Sequence, residues 1–314
     1  MTLDRNTAAF LQEIAGVVPP LPSLDDNSAL VAYFSGLAES SDNNMLEGEA
    51  EPVASVENRT IPGPEVDVPV RIYRPDDSAL SVIVFFHGGV FIMGGLEMHD
   101  PVLRRLANAI PAVIVSVDYR LAPAHPFPAA VDDGYTVLRW AATHAKELGG
   151  DPRRLGVMGD SAGGALAAVL AIKARDEDGP PLALQVLVYP MTDPALETDS
   201  ARDLAEGYLT TTELLRLGWH FYLDGHADEP YTAPSTTDDL QGLPTAIVVT
   251  AGYDPLRDEG LAYIDRLRNA DVDVIARHYA DQIHGFAFMP GVIPAASEAI
   301  AEIAELVRAH MEAR

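Results

Sequence analysis

The chain has no cysteine in its 314 residues, which removes disulfides, zinc–thiolate sites and thiol nucleophiles at once and is compatible with a reducing compartment. Basic residues are scarce. Against 47 acidic side chains stand 21 Lys and Arg, giving a formal net charge of −26 and a pI near 4.5. A nucleic acid is held by clustered Lys and Arg that neutralise phosphates, and no such cluster exists, so no nucleic acid is expected as a partner. The acidic residues are scattered and read as a solvated, self-repelling surface. No apolar run approaches the roughly 18 residues of a spanning helix, and Met1-Thr2-Leu3-Asp4-Arg5-Asn6 lacks a basic stretch leading into an apolar one. The expectation is a protein with no signal peptide and no stable membrane anchor, located in the cytoplasm. Metal-ligand spacing is missing as well, neither H-E-x-x-H nor a tight carboxylate cluster, so neither metal nor cofactor is expected.

What is present is an ordinary globular composition, 48% hydrophobic and 22% charged, with length for one large α/β domain and an accessory part. Residues 1–45 read as an N-terminal helical cap segment with amphipathic pieces at Ala8 to Val17 and Ser28 to Leu37. Residues 46–194 read as the first part of an α/β core. It starts with two alternating runs, Pro52 to Ile61 and Val66 to Tyr73, that suit an antiparallel pair at a sheet edge, and Pro69 favours an edge position for the second. Buried strands follow at Ser81 to Phe86, Ala112 to Val117, Leu155 to Met158 and Gln185 to Pro190, with a long helix from Ala129 to Leu148. Residues 195–230 turn to helix without strand and read as a second cap segment. Residues 231–314 return to the core, with strands at Thr245 to Thr250 and Val272 to Tyr279 and a last helix from about Pro294 to His310.

One stretch organises the rest. Gly159-Asp160-Ser161-Ala162-Gly163 fits G-x-S-x-G, in which a serine sits on a tight, strained strand-to-helix turn and glycines flank it where side chains would collide with neighbours. Such an elbow lifts one hydroxyl clear of the sheet and turns the next amide, that of Ala162, toward the charge developing on a bound carbonyl. The glycine-rich loop after the first buried strand, His87-Gly88-Gly89-Val90-Phe91, supplies further donors, assigned to the amides of Gly89 and Val90. His87 reads as a residue that pins this loop, with a catalytic base as the alternative. A serine hydroxyl needs a base, and the base needs an acceptor to fix its tautomer. His284 and Asp254 meet that need, because each follows the carboxyl end of a strand and those ends share one edge of a parallel sheet. Asp258 and Asp281 are rival acids, the first inside a helix and the second on the loop of the histidine. Phe91, Leu209, Leu214, Phe221 and Phe288 are candidate pocket walls, with plain core packing as the other reading.

With these motifs on the page, the sequence resembles the hormone-sensitive-lipase-like carboxylesterases of the α/β-hydrolase superfamily. The resemblance runs from about Val70 onward. It is carried by His87-Gly88-Gly89, Asp118-Tyr119-Arg120-Leu121-Ala122-Pro123 with Pro126-Phe127-Pro128, Gly159-Asp160-Ser161-Ala162-Gly163-Gly164, Asp254-Pro255-Leu256-Arg257-Asp258-Glu259 and His284-Gly285-Phe286. It implies an α/β-hydrolase fold, a mostly parallel central sheet flanked by helices under a helical cap. It also implies a serine esterase for short- or medium-chain acyl esters, small-molecule substrates, and frequent homodimers. Two positions depart from the pattern. Val90 stands where a third glycine is usual, which should stiffen the loop and alter substrate preference, and Ala124 stands where a glutamate is usual. An amidase or peptidase with the same triad, or a ligand receptor that has lost catalysis, are the alternatives. An intact His284 speaks against the receptor.

Overall fold

In the computed structural model, residues 2–16, 22, 46, 48–75 and 81–313 are described. The chain starts with helix α1 (Arg5–Ile14), capped by Asp4, whose carboxylate accepts the Asn6 and Thr7 amides at 2.9 Å each. The helical piece expected at Ser28 to Leu37 lies outside the described residues. Strands β1 (Ser55–Ile61), β2 (Val68–Arg74) and β3 (Ser81–Phe86) come next, then α2 (Asp100–Ala109), β4 (Ala112–Val117) and α3 (Ala129–Leu148). Strand β5 (Leu155–Asp160) runs into α4 (Ala162–Asp176), and β6 (Leu184–Val188) into α5 (Asp199–Asp203) and α6 (Thr212–Leu223). Strand β7 (Thr245–Tyr253), α7 (Arg257–Asn269), β8 (Val274–Ile283) and α8 (Pro294–Glu312) complete the order.

Among the described residues eight strands form one sheet in the order β1-β2-β4-β3-β5-β6-β7-β8. The pairs β1–β2 and β2–β4 are antiparallel and the rest are parallel. The central strands are predominantly apolar because both faces are covered. Alternation along β3 shows the division: Val82, Val84 and Phe86 join the cluster containing α3, α4, α6 and α7, while Ile83 and Phe85 join the one containing α2, α8 and Phe10 of α1. Helix α4 lies against β5, and its Ala-rich surface is buried on every side, which explains its lack of a polar stripe.

Two local expectations need correction. Strand β2 is not at the edge; it lies between β1 and β4. Pro69 is tolerated there because the ladder with β4 begins only at Val70, while the Pro69 carbonyl accepts the Asp118 amide at 3.0 Å. Asp281 lies within β8 and not on the loop of His284, since β8 runs on to Ile283. No helix among the described residues is long and apolar enough to cross a membrane.

Parallel register fixes where the chemistry collects. Phe86 pairs with Val117 and Gly159, Asp160 with Val188, and Val188 with Val249. The residues after these positions, His87, Ser161 and Tyr189, therefore leave the sheet along one rim.

Candidate active site

Ser161 sits between β5 and α4 with φ 54° and ψ −118°, a conformation costing on the order of 1–3 kcal/mol and found only where the surroundings enforce it. Here the enforcement is visible. Its amide donates to the Val188 carbonyl at 2.9 Å, and its carbonyl accepts the amides of Ala165 and Met191, each at 3.1 Å. A Cβ at Gly163 would lie 2.0 Å from the Phe86 carbonyl oxygen, and one at Gly159 2.2 Å from that of Gly163. The flanking glycines thus let the elbow press directly onto the end of β3.

His284 leaves β8 with its ring tilted over Tyr189, centroids 4.7 Å apart. Its Nε2 is 2.9 Å from Ser161 Oγ and its Nδ1 is 2.8 Å from Asp254 Oδ2. A carboxylate accepts, so Nδ1 carries the proton and Nε2 offers its lone pair to the hydroxyl. Asp254 follows β7, beside a bulge that breaks the β7–β8 register between Ala251 and Tyr253. Its Oδ1 accepts the Leu256 amide at 2.8 Å, and the residue is wholly buried. All three residues are at most 6% exposed. Of the rival acids, Asp258 binds the Ser200 amide at 2.8 Å and pairs with Arg257, while Asp281 is exposed and its carbonyl accepts the Asp4 amide.

The loop after β3 makes a left-handed turn, with Gly89 at φ 114°, Val90 at 49° and Phe91 at 65°. Its closure comes from the Gly89 carbonyl, which accepts the Ile92 and Met93 amides at 3.0 and 2.9 Å. Among the described residues no acceptor is paired with the amides of Gly89, Val90 or Ala162. Behind the turn, His87 is stacked on Tyr119 with centroids 4.2 Å apart, and the Tyr119 hydroxyl donates to the His87 carbonyl at 2.7 Å. His87 Nδ1 bonds the Gly88 carbonyl at 2.7 Å, and burial pushes its pKa down to about 4. A neutral ring with these contacts holds the loop from behind.

Sequence reasoning passed over Asp160, His99 and Glu259. Asp160, the variable residue of the elbow motif, accepts the Gly88 amide at 2.9 Å and lies 3.1 Å from His99 Nε2. Glu259 accepts the Thr192 and Asp193 amides at 2.7 and 3.2 Å, holding the turn after β6 whose Met191 amide binds Ser161. Both stand inside the quoted motifs, so their position was a signal, but their partners are distant in sequence. The proline-rich loop before α3 is tied by Arg120, which grips Asp133 with contacts of 2.9 to 3.1 Å; Ala124 carries no such pair.

Of the candidate pocket walls, Phe91 is buried and stacked on Tyr222, and Phe221 is buried in the same cluster. Leu214 and Leu209 are half-buried, packed against opposite clusters. Phe288 is buried on the other face of the sheet against His99 and Phe85, with centroids 4.6 and 5.8 Å away. A crevice of about 510 Å³ lined by Arg175, Leu182, Leu243 and Asp273 opens at the opposite end of the strands from Ser161.

Residues 83–288, more than half of the chain, match the family model described as the α/β hydrolase fold. The carboxylesterase NlhH of Mycobacterium tuberculosis is 42% identical over 259 residues, 80% of this chain and 81% of that protein. The esterase LipI of the same organism is 40% identical over 307 residues, 95% of this chain and 94% of its own length. Among solved structures, an ester hydrolase from the metagenome of Lake Arreo, in complex with a bipyridine phosphonate derivative, superposes with a TM-score of 0.91 at 37% identity. That match covers 99% of this chain and all of the other.

Proposed function

The chain belongs to the hormone-sensitive-lipase-like esterases of the α/β-hydrolase superfamily and is a carboxylic ester hydrolase; from that premise we propose that Ser161, His284 and Asp254 are its catalytic triad. The observation that carries this is the unbroken line of hydrogen bonds from Asp254 Oδ2 through His284 to Ser161 Oγ, at 2.8 and 2.9 Å. His284 Nε2 removes the hydroxyl proton as Ser161 Oγ attacks the ester carbonyl carbon. The carbonyl oxygen becomes an oxyanion held by the amides of Gly89, Val90 and Ala162, and Asp254 stabilises the imidazolium. Collapse of this intermediate breaks the bond to the alkoxy oxygen, which leaves with the proton from His284, and an acyl-serine remains. Water then gives its proton to His284 and attacks the acyl carbon. Return of the proton to Ser161 Oγ frees the acid.

The substrate class in this reading is a small-molecule ester with a short or medium acyl chain. Phe91, Leu209, Leu214, Phe221 and Phe288 are its candidate walls, and the segment 195–230 caps the core formed by 46–194 and 231–314; most of the expected N-terminal cap segment, 1–45, lies outside the described residues. A homodimer in the cytoplasm completes the proposal, supported by the resemblance and by the cysteine-free composition. The deciding experiment pairs a chain-length series of p-nitrophenyl esters with a fluorophosphonate probe. One probe per chain on Ser161, with parallel loss of ester hydrolysis, is the expected result. Full turnover after labelling, or a native rate in Ser161→Ala, overturns the assignment, and faster cleavage of anilides than of esters favours the amidase.

A further inference from the structure

Helix α6 touches the oxyanion loop at a glycine. A Cβ built on Gly218 would lie 2.4 Å from the Val90 carbonyl oxygen and 2.8 Å from Val90 Cβ, so the helix and the loop are in direct backbone contact. Val90 and Phe91 are consecutive residues at positive φ, and for a β-branched side chain that region is a genuine outlier. A loop of this kind relaxes unless something opposes it. The Phe91 side of the turn is held by the same helix: its ring stacks on Tyr222 at 4.0 Å and 14°, with Trp219 5.1 Å away. The end of α6 is tied down in turn, since the Tyr222 carbonyl accepts the Phe127 amide at 2.7 Å. Gly218 and Tyr222 are one turn apart and so present one face of α6 to the loop.

We propose that α6 sets the oxyanion hole, with Gly218 and Val90 as a positioning pair. Gly218 admits the Val90 carbonyl and side chain, and that contact, with the Phe91–Tyr222 stack, holds Val90 at positive φ so that its amide converges with those of Gly89 and Ala162. The inference rests on the reading of these three amides as oxyanion donors. It makes the residue that departs from the family pattern the point where the cap governs catalytic rate. Glycine at position 90 would reach the same conformation unaided; valine needs the helix.

The test compares the native enzyme with Gly218→Ala, Val90→Gly and the double variant, using p-nitrophenyl butyrate turnover and inhibition by an aryl trifluoromethyl ketone, whose hemiketal oxygen occupies the oxyanion position. Gly218→Ala lowers kcat by about 10-fold or more, leaves KM within about 3-fold, and weakens the trifluoromethyl ketone in proportion to kcat. Val90→Gly alone lowers kcat a few-fold, because the loop gains freedom, and in the double variant it restores most of what Gly218→Ala removed. Native kcat in Gly218→Ala overturns the proposal, as does a double variant no better than Gly218→Ala, or a fall in kcat with undiminished ketone affinity. If Gly218→Ala does not fold, Tyr222→Leu carries the test without adding an atom: the same kcat-selective loss is expected, and unchanged kcat overturns the proposal. The underlying assignment fails separately, if the native enzyme binds the trifluoromethyl ketone no better than the matching methyl ketone.

Discussion

Asp160 Oδ1 accepts the amide proton of Gly88 at 2.9 Å, so the residue before the proposed nucleophile holds the residue before the proposed oxyanion donors. Serine and donors are thereby referred to one buried carboxylate. Asp160→Leu, which offers no acceptor, is expected to lower kcat by roughly 100-fold, and Asp160→Asn, which keeps one oxygen for Gly88, by clearly less. Steady-state kinetics on a nitrophenyl ester checks the order; equal effects would show that the carboxylate, not the bond to Gly88, matters.

Asp254 fixes the tautomer of His284 through the 2.8 Å bond to Nδ1. Asp254→Asn presents an amide that favours the opposite tautomer, with the proton on Nε2 facing Ser161. A loss of about 10⁴-fold in kcat is expected, smaller than that of Ser161→Ala, because loss of the acid alone costs less than loss of the serine hydroxyl. The double variant should then be no worse than Ser161→Ala alone, and additive losses would contradict the shared role.

His87 is buried neutral, its pKa pushed from about 6.5 down to about 4 chiefly by loss of solvent. The unfolded chain therefore takes up this proton first as pH falls. The stability tied to it is complete above pH 6.5 and is lost as pH drops through 4, a change of roughly 3 kcal/mol. Urea unfolding at intervals across that window should show a steeper fall for the native protein than for His87→Asn. Parallel curves would contradict it.

Glu259 has the opposite sign. Burial raises its pKa to about 8 despite the two amides it accepts, so the folded state keeps a proton that an unfolded glutamate has already released. Its contribution is complete below the ordinary glutamate range and is lost as pH rises through 8. Glu259→Gln retains an acceptor for Thr192 and Asp193 without the charge. Its melting temperature relative to native should rise between pH 6 and 9, and a pH-independent difference would refute the argument.

The motif residues were legible in the sequence because their chemistry makes demands on the backbone. Ser161 needs a strained turn and glycines beside it, His284 and Asp254 need strand ends, and these leave marks at short range. The central strands were legible for a related reason, since burial on both faces removes polar residues from a whole run. What stayed hidden depends on partners far along the chain. Asp160 looks like a spacer until Gly88 is seen against it, and Gly218 looks like a weak point in a helix until Val90 is seen occupying the space. The sequence pattern ends β8 at Tyr279, four residues early, because the strand lies at an edge and its polar end, Asp281-Gln282, carries the alternation of a half-covered strand. Pro69 misled because the rule it follows concerns ladder bonds on one side only.

His284, the proposed proton acceptor, follows β8 at one edge of the sheet, whereas Ser161 follows β5, which has neighbours on both sides. A rim is easier to loosen than an interior, since fewer contacts must break at once. Mild denaturant or heat should therefore part His284 from Ser161 while the bulk of the protein is still intact, making ester hydrolysis the earliest casualty of unfolding and the last property to return on renaturation.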